Sequence, residues 1–446
     1  MSLKNRKLAI KNLKGSDEKL RVSWMLKNMM NNKTFLYFSK NLNKKNKVNL
    51  LSKLKKEYTN YRKNWRNNPK EAIRKNLIGE KFNKSNIKPL CIDIEVASVC
   101  DLACPHCYRQ FISTPDKIMS KSLAFKLIDQ ASELKVPSMK FNWRGEPLLN
   151  PSLPEIIDYA KKKGVLETII NTNATTLDEK MSEKIINSGL DLLIYSFDGG
   201  TKQTYEKMRP GRFKKNNFED VYNNIKNFHE IRKKKKSKFP ITKIQMIMTK
   251  DTRNEVDDFY SLFNDIVDDV TITQYNERGG NINDLDEKTK NKIIHYLKEN
   301  ELPLTTPYMV DINNNIFVSL KRKPCEQIYQ RLMVTYSGRV GMCCHDWGAR
   351  HGIGYLSDEA YKEEEAKLDV QNKIQKNQKG FELLKNAINP KNFNEPKKKI
   401  ENLEEIWNGD ELNKVRNLHE NFKIDSVPVC KECTFKDTYD WKLINI

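Results

Sequence analysis

The sequence predicts an α/β protein: six parallel βα units, too few to close an eight-stranded barrel, followed by a small cysteine-rich β-hairpin and helix domain. Three observations carry this. Between residues 89 and 285, apolar strand-like runs alternate with amphipathic helix-like runs, the order that builds a parallel sheet. The nine cysteines gather in three places, with Cys91 apart. The basic charge is concentrated ahead of the sheet: of a net +22, residues 1 to 90 supply 25 Lys and Arg against 5 Asp and Glu. The chain therefore divides into a basic, helical arm over 1–88, a sheet domain over 89–285 and a cysteine-rich domain over 286–446 with a charged insertion at 357–400.

At 446 residues and 38% apolar content the chain can bury a core in each of two domains. No apolar run approaches the roughly 18 residues of a membrane span, and the start, Met1-Ser-Leu-Lys-Asn-Arg-Lys7, lacks a signal-peptide apolar core. A cytoplasmic protein with no transmembrane segment is expected. An odd number of clustered cysteines suits metal binding in a reducing compartment better than disulfides.

In the arm, Leu50, Leu51, Leu54, Tyr58 and Tyr61 recur at helical spacing between clusters of Lys and Asn. The first reading is a pair of solvated helices packing on the catalytic domain. The second is a grip on an acidic partner, a nucleic acid or an anionic membrane surface, although no pattern of a known RNA-binding module is present. Removal of residues 1 to 60 is expected to leave the chemistry intact while weakening a partner or substrate interaction.

The strand candidates are Cys91–Val96, Met139–Trp143, Glu167–Asn171, Leu190–Phe197, Thr242–Met248 and Asp269–Gln274. Between them lie the amphipathic runs 121–134, 153–163, 178–188, 218–233 and 255–267. The basic run Arg232 to Lys236 reads as a solvated loop. On the loop leaving the first strand stand Cys100, Cys104 and Cys107, separated by three and then two residues. Three thiolates can bind three irons of a cubane cluster and leave the fourth open and reactive, whereas a fully ligated cluster can only pass electrons. Structural zinc is the alternative, but zinc wants four ligands and usually two paired spacings.

This loop resembles the signature of the radical S-adenosylmethionine (SAM) superfamily, Cys-x3-Cys-x2-Cys with a ring before the third Cys, here His106. The resemblance implies a partial (β/α)6 TIM-like barrel with its chemistry at the C-terminal strand ends. It also implies a [4Fe-4S] cluster whose open iron is chelated by the amino and carboxylate groups of SAM. One electron from a flavodoxin- or ferredoxin-type donor then gives methionine and a 5'-deoxyadenosyl radical that abstracts hydrogen from a substrate. Arg144-Gly145-Glu146-Pro147 is similar to the family's Gly-Gly-Glu-Pro, which implies that Gly145 and Glu146 hold the SAM amino group, with Arg144 in place of the first Gly. Asn171-Thr172-Asn173-Ala174-Thr175 looks like Thr-Asn-Gly-Thr with Ala174 where Gly is usual, and adds Asn173. Tyr195-Ser196-Phe197-Asp198-Gly199 is similar to Ser-x-Asp-Gly, which puts Ser196 and Asp198 near the SAM ribose; ordinary strand-end capping is the alternative. Gln245, Gln274, Tyr275 and Glu277 should face the same cavity. No catalytic residue beyond the cluster is assigned.

In the C-terminal part, Cys325 is followed by Gly338-x4-Cys343, adjacent Cys344, and the distant pair Cys430-x2-Cys433. Met333 to Met342 reads as a β-hairpin turning at Ser337-Gly338, which would bring Cys325 and Cys343 together, while Cys344 would point to the other face. Glu404 to Asn408 and Leu412 to His419 read as helix leading to the last pair. These features resemble the SPASM and twitch auxiliary-cluster extensions. With five cysteines beyond Cys107, one auxiliary cluster is the limit, on Cys325, Cys343, Cys430 and Cys433; it is expected to be [4Fe-4S], with zinc as the alternative. The expected reaction is oxidation or rearrangement of a small polyol or sugar-type metabolite, the auxiliary cluster taking the electron. Peptide or protein side-chain maturation is the alternative, and RNA modification a third reading.

Overall fold

Six strands run in parallel in chain order: β1 (Cys91–Ile94), β2 (Ser138–Lys140), β3 (Glu167–Thr172), β4 (Leu192–Ser196), β5 (Ile241–Met248) and β6 (Asp269–Gln274). They belong to a computed structural model that describes residues 18–446 except 111, 275–286, 303, 305, 311–314, 347–348, 363–366, 369–396, 432, 434, 436–437 and 445–446. Most of the charged insertion, the start of the arm, Tyr275 and Glu277 thus lie outside the described residues. Between the strands run α1 (Lys121–Glu133), α2 (Leu153–Lys162), α3 (Glu179–Ser188), α4 (Phe218–Lys234) and α5 (Val256–Phe263).

Local chemistry sets these limits. Ser120 starts α1 by accepting from the Leu123 N–H, and Asp178 starts α3 by accepting from that of Met181. Gly189, at φ +86°, ends α3. The apolar stripe of each helix, for example Leu127, Ile157, Ile185, Val221 and Phe259, packs on strand residues Ile92, Met139, Ile170, Leu193 and Ile244 in one buried core. The basic run Arg232 to Lys236 is not a solvated loop: its first three residues form the last turn of α4, and Arg232 is buried and forks onto Asp268 and the Pro240 carbonyl.

The sheet then grows on its other side. β7 (Arg331–Val334) lies parallel to β1, and β8 (Arg339–Gly341) and β9 (Gly352–Tyr355) follow antiparallel. The order is β9-β8-β7-β1-β2-β3-β4-β5-β6, an open, mostly parallel sheet of partial TIM-barrel kind. The expected hairpin forms, with Gly338 at φ +100° in its turn. A smaller antiparallel sheet joins Tyr308–Val310, Ile316–Arg322 and Tyr439–Ile444.

The arm packs on the sheet domain, as its first reading expected, but through three main helices with a buried face rather than a solvated pair. Helices Glu18–Asn28, Lys33–Ser39 and Lys44–Lys75 bury Met25, Met29, Phe35, Leu54, Tyr58 and Tyr61 against Leu166, Ile169, Leu192 and Ile241 at the strand starts. Polar groups complete the plug. Tyr58 and Tyr61 donate to the buried Glu167 carboxylate at 2.8 and 3.1 Å, with Arg21 at 3.3 Å. Asn32 donates at 2.7 Å to Asp191, which also holds the buried Lys161 ammonium at 2.8 Å. Removal of residues 1 to 60 would take partners from two buried carboxylates, Tyr58 and Arg21 from Glu167 and Asn32 from Asp191. Lys44, Lys45, Lys47 and Lys53 stay exposed on the outer face.

Candidate active site

The loop that leaves β1 is pinned from several sides. Ala103 N–H donates to the Pro210 carbonyl at 2.8 Å, Arg212 N–H to that of Asp101 at 2.7 Å, and Cys107 N–H to that of Cys104 at 3.0 Å. Cys104 is buried, while Cys100 and Cys107 are partly exposed. Burial pushes Cys100 well up, with Glu146 adding to it, although the Leu102 N–H donates to its sulfur. Burial likewise pushes Cys104 up to about 12, against the Arg209 guanidinium and with Cys107 adding to the rise. Thiols so crowded hold their protons unless a metal takes their place, the behaviour of a cluster's donor set.

His106 fixes this loop to the barrel. Its Nε2 lies 3.3 Å from Asp198 Oδ2, the Arg209 guanidinium lies 2.6 Å from the same oxygen, and the Ile247 N–H donates to Oδ1 at 2.8 Å. Burial alone would raise Asp198, but Arg209 and His106 outweigh it and hold the carboxyl well below the usual range. Asp198 Oδ1 thus accepts from the backbone, while Oδ2 sits within ion-pair distance of His106 and Arg209 and has no hydrogen-bond partner among the described residues. Ser196 is the last residue of β4, partly exposed and in register with Gln245.

Glu146 lies behind the cysteine loop. Its carboxylate accepts from the Leu148 N–H at 3.0 Å, the Thr172 hydroxyl at 2.7 Å and the Asn173 N–H at 2.8 Å. Burial nevertheless pushes it up to about 7. A buried carboxyl in that state is favoured by any further donor that enters. Asn173 in turn donates from its side chain to Asp101 at 2.8 Å, and Thr175 donates to the other Asp101 oxygen. Asp101, within the cysteine motif, is thus a hub that spacing did not reveal. Ala174 adopts φ +61°, which is why glycine suits this position. Asn171 Oδ1 is buried without a hydrogen-bond partner among the described residues.

Arg144 is buried and pairs within the protein. Its guanidinium grips Glu95 in a two-pronged pair at 2.6 and 2.9 Å, and Glu95 also accepts the Tyr336 N–H at 3.2 Å. Arg144 lies over the Trp143 ring, 4.3 Å from its centroid, and Trp143 donates at 2.9 Å to the Cys344 carbonyl. The turn between β2 and α2 is thereby fastened to the C-terminal hairpin.

Cys325, Cys343, Cys430 and Cys433 line one cavity, together with Asp346 and His419. Cys344 stands apart, packed with Trp143, Met333 and Ala349 and contacted by Arg331 at 3.6 Å. Burial pushes Cys325 up to about 12, with Cys433 adding to the rise and the Gln327 N–H opposing it. Phe435 N–H donates to Cys433 Sγ at 3.4 Å. Among the described residues no three thiol, imidazole or carboxylate groups converge on a point for one metal ion. Four thiols around a cavity, with N–H donors on their sulfurs, fit a cluster in which each binds its own iron.

Residues 94–263 match the model of the Radical SAM superfamily. The chain is 34% identical over 111 residues to Fe-coproporphyrin III synthase of Methanosarcina barkeri, covering 25% of this chain and 27% of that protein. It is 30% identical over 139 residues to a probable GTP 3',8-cyclase of Methanococcus maripaludis, 31% of this chain and 45% of that one. To PqqA peptide cyclase of Granulibacter bethesdensis it is 30% identical over 126 residues, 27% and 32% respectively. The chain thus spans from about a quarter to under half of the length of these curated relatives. The structure of Streptococcus suis SuiB bound to precursor peptide SuiA superposes with a TM-score of 0.48 at 14% identity, over 93% of this chain and 84% of that one.

Proposed function

Because residues 94–263 match the model of the Radical SAM superfamily, we propose that the chain is an enzyme of that kind and oxidises or rearranges an unactivated C–H position with two iron-sulfur sites. When bound, a [4Fe-4S] cluster with one open iron and SAM supply a 5'-deoxyadenosyl radical, and a second cluster supplies an electron site. Cys100, Cys104 and Cys107 would hold the first and Cys325, Cys343, Cys430 and Cys433 the second. Glu146, with Gly145 carrying it against the cysteine loop, would accept N–H bonds from the SAM amino group, and Asn173 and Ser196 would line the rest of the SAM site. His106, Asp198 and Arg209 keep the loop in place. The observation that carries this reading is the gathering of four thiols, far apart in sequence, around one cavity.

For the substrate we favour a small polyol or sugar-type metabolite, since Asn171 near the end of β3 and Gln245, level with the end of β4, offer neutral amides to hydroxyl groups. A peptide is the second reading, favoured by the likeness to PqqA peptide cyclase. A flavodoxin- or ferredoxin-type protein would deliver the electron, and the outward lysines of the arm could meet an acidic partner. The test is anaerobic incubation of the iron-loaded protein with SAM, dithionite and panels of sugar alcohols or peptides. Deoxyadenosine release coupled to loss of two hydrogens from one panel member supports the proposal. Absence of deoxyadenosine under all conditions sinks it.

A further inference from the structure

We infer that His419 is a positioning residue for the C-terminal thiol site, donating an N–H to the Cys430 sulfur and thereby raising the reduction potential of the cluster bound there. The inference rests on reading that site as an iron-sulfur site, and geometry supplies the rest. The Cys325 backbone N–H donates to His419 Nδ1 at 3.1 Å. A ring nitrogen that accepts a hydrogen bond carries no proton, so the neutral ring bears its proton on Nε2. That nitrogen lies 3.4 Å from Cys430 Sγ. His419 is 1% exposed, so water does not compete for either nitrogen.

The ring is held by the helix Asp410–Glu420, which Arg416 anchors by donating to the Trp407 carbonyl at 2.9 Å and by lying over the Phe82 ring at 3.6 Å. One imidazole therefore ties together two thiol-bearing segments that are far apart in sequence. Cysteine sulfur gains electron density when a cluster is reduced, so an N–H donor stabilises the reduced form more than the oxidised one.

The experiment uses the full chain with Cys100, Cys104 and Cys107 replaced by Ala, so that only the C-terminal site contributes a signal. In that background wild-type His419, His419→Phe and His419→Gln are compared by iron and sulfide content and by a redox titration followed by electron paramagnetic resonance. His419→Phe keeps the ring volume but loses both nitrogens. It is expected to retain iron and titrate at a more negative midpoint, while His419→Gln, whose amide can still donate, stays near the parent. Equal midpoints for all three overturn the inference. So does loss of iron in both variants, which would make His419 a ligand. An iron-free parent overturns the site reading itself, and this inference with it.

Discussion

At Gly145 the backbone has no room for a side chain: φ is +67°, and a Cβ there would lie 2.3 Å from the Ala97 carbonyl oxygen and 2.6 Å from that of Val99. The turn touches the chain entering the cysteine loop, so Gly145→Ala acts on that loop directly. The backbone strain alone costs about 1–2 kcal/mol, and the contact forces a further shift. We expect this variant to lose iron from the barrel site while the C-terminal site keeps its own, as read by iron content in a background lacking Cys430 and Cys433 and in one lacking Cys100, Cys104 and Cys107. Glu146→Gln should fold better than Glu146→Ala, because an amide oxygen still accepts from Leu148 and Thr172. Loss of a charge-assisted acceptor at about 1.5–3 kcal/mol should raise the SAM dissociation constant roughly tenfold or more; unchanged binding would remove Glu146 from the SAM site. Gly145 and Glu146 were legible because a short motif sat one βα unit after the cysteines. The clamp of His106, Asp198 and Arg209 was not, since its members come from three segments whose approach only the folded sheet decides. Arg144 was legible as a departure from the motif, but its partner Glu95 was not.

Among the elements, the arm helices show how far composition misleads. Lysines and asparagines dominate their sequence, yet the stripe from Leu54 to Tyr61 meets the strand starts. Spacing revealed the stripe and left open whether the catalytic domain or an acidic partner covers it. Glu167 is the polar centre of this contact: burial would raise its carboxyl, but Arg21, Arg62 and the two tyrosines hold it below the ordinary value of 4.5. A carboxyl lowered by folding adds stability above its unfolded pKa, and that contribution is lost as the pH falls through the folded value. In metal-free protein, arm docking should therefore weaken below about pH 4.5, seen as earlier proteolysis between the arm and β1. Tyr58→Phe should lower stability at neutral pH by about 1–3 kcal/mol through the unmet carboxylate. Deleting residues 1–61 should give a protein that fails to fold cooperatively by calorimetry; an intact transition in the truncated chain would return the arm to the role of an appendage. The hairpin is the opposite case. Its turn and strands were readable locally, but β1 as the partner of β7 was not, because nothing local specifies a neighbour so distant in sequence.

In the whole molecule β1 leads to one thiol set and the hairpin β7–β8 to Cys343 of the other, with Trp143 and Arg144 fastening the two regions together. The central claim is that these are two separate iron-sulfur sites of which only the first acts on SAM. The most direct measurement is iron content with Mössbauer spectra and deoxyadenosine release on two anaerobically reconstituted variants. One has Cys100, Cys104 and Cys107 changed to Ala, the other Cys430 and Cys433. Each should keep about four irons, as one remaining [4Fe-4S] cluster requires. The first should release no deoxyadenosine, while the second still cleaves SAM but no longer turns over substrate. Zinc in place of iron in the first variant, or SAM cleavage that survives loss of Cys100, Cys104 and Cys107, would contradict the account.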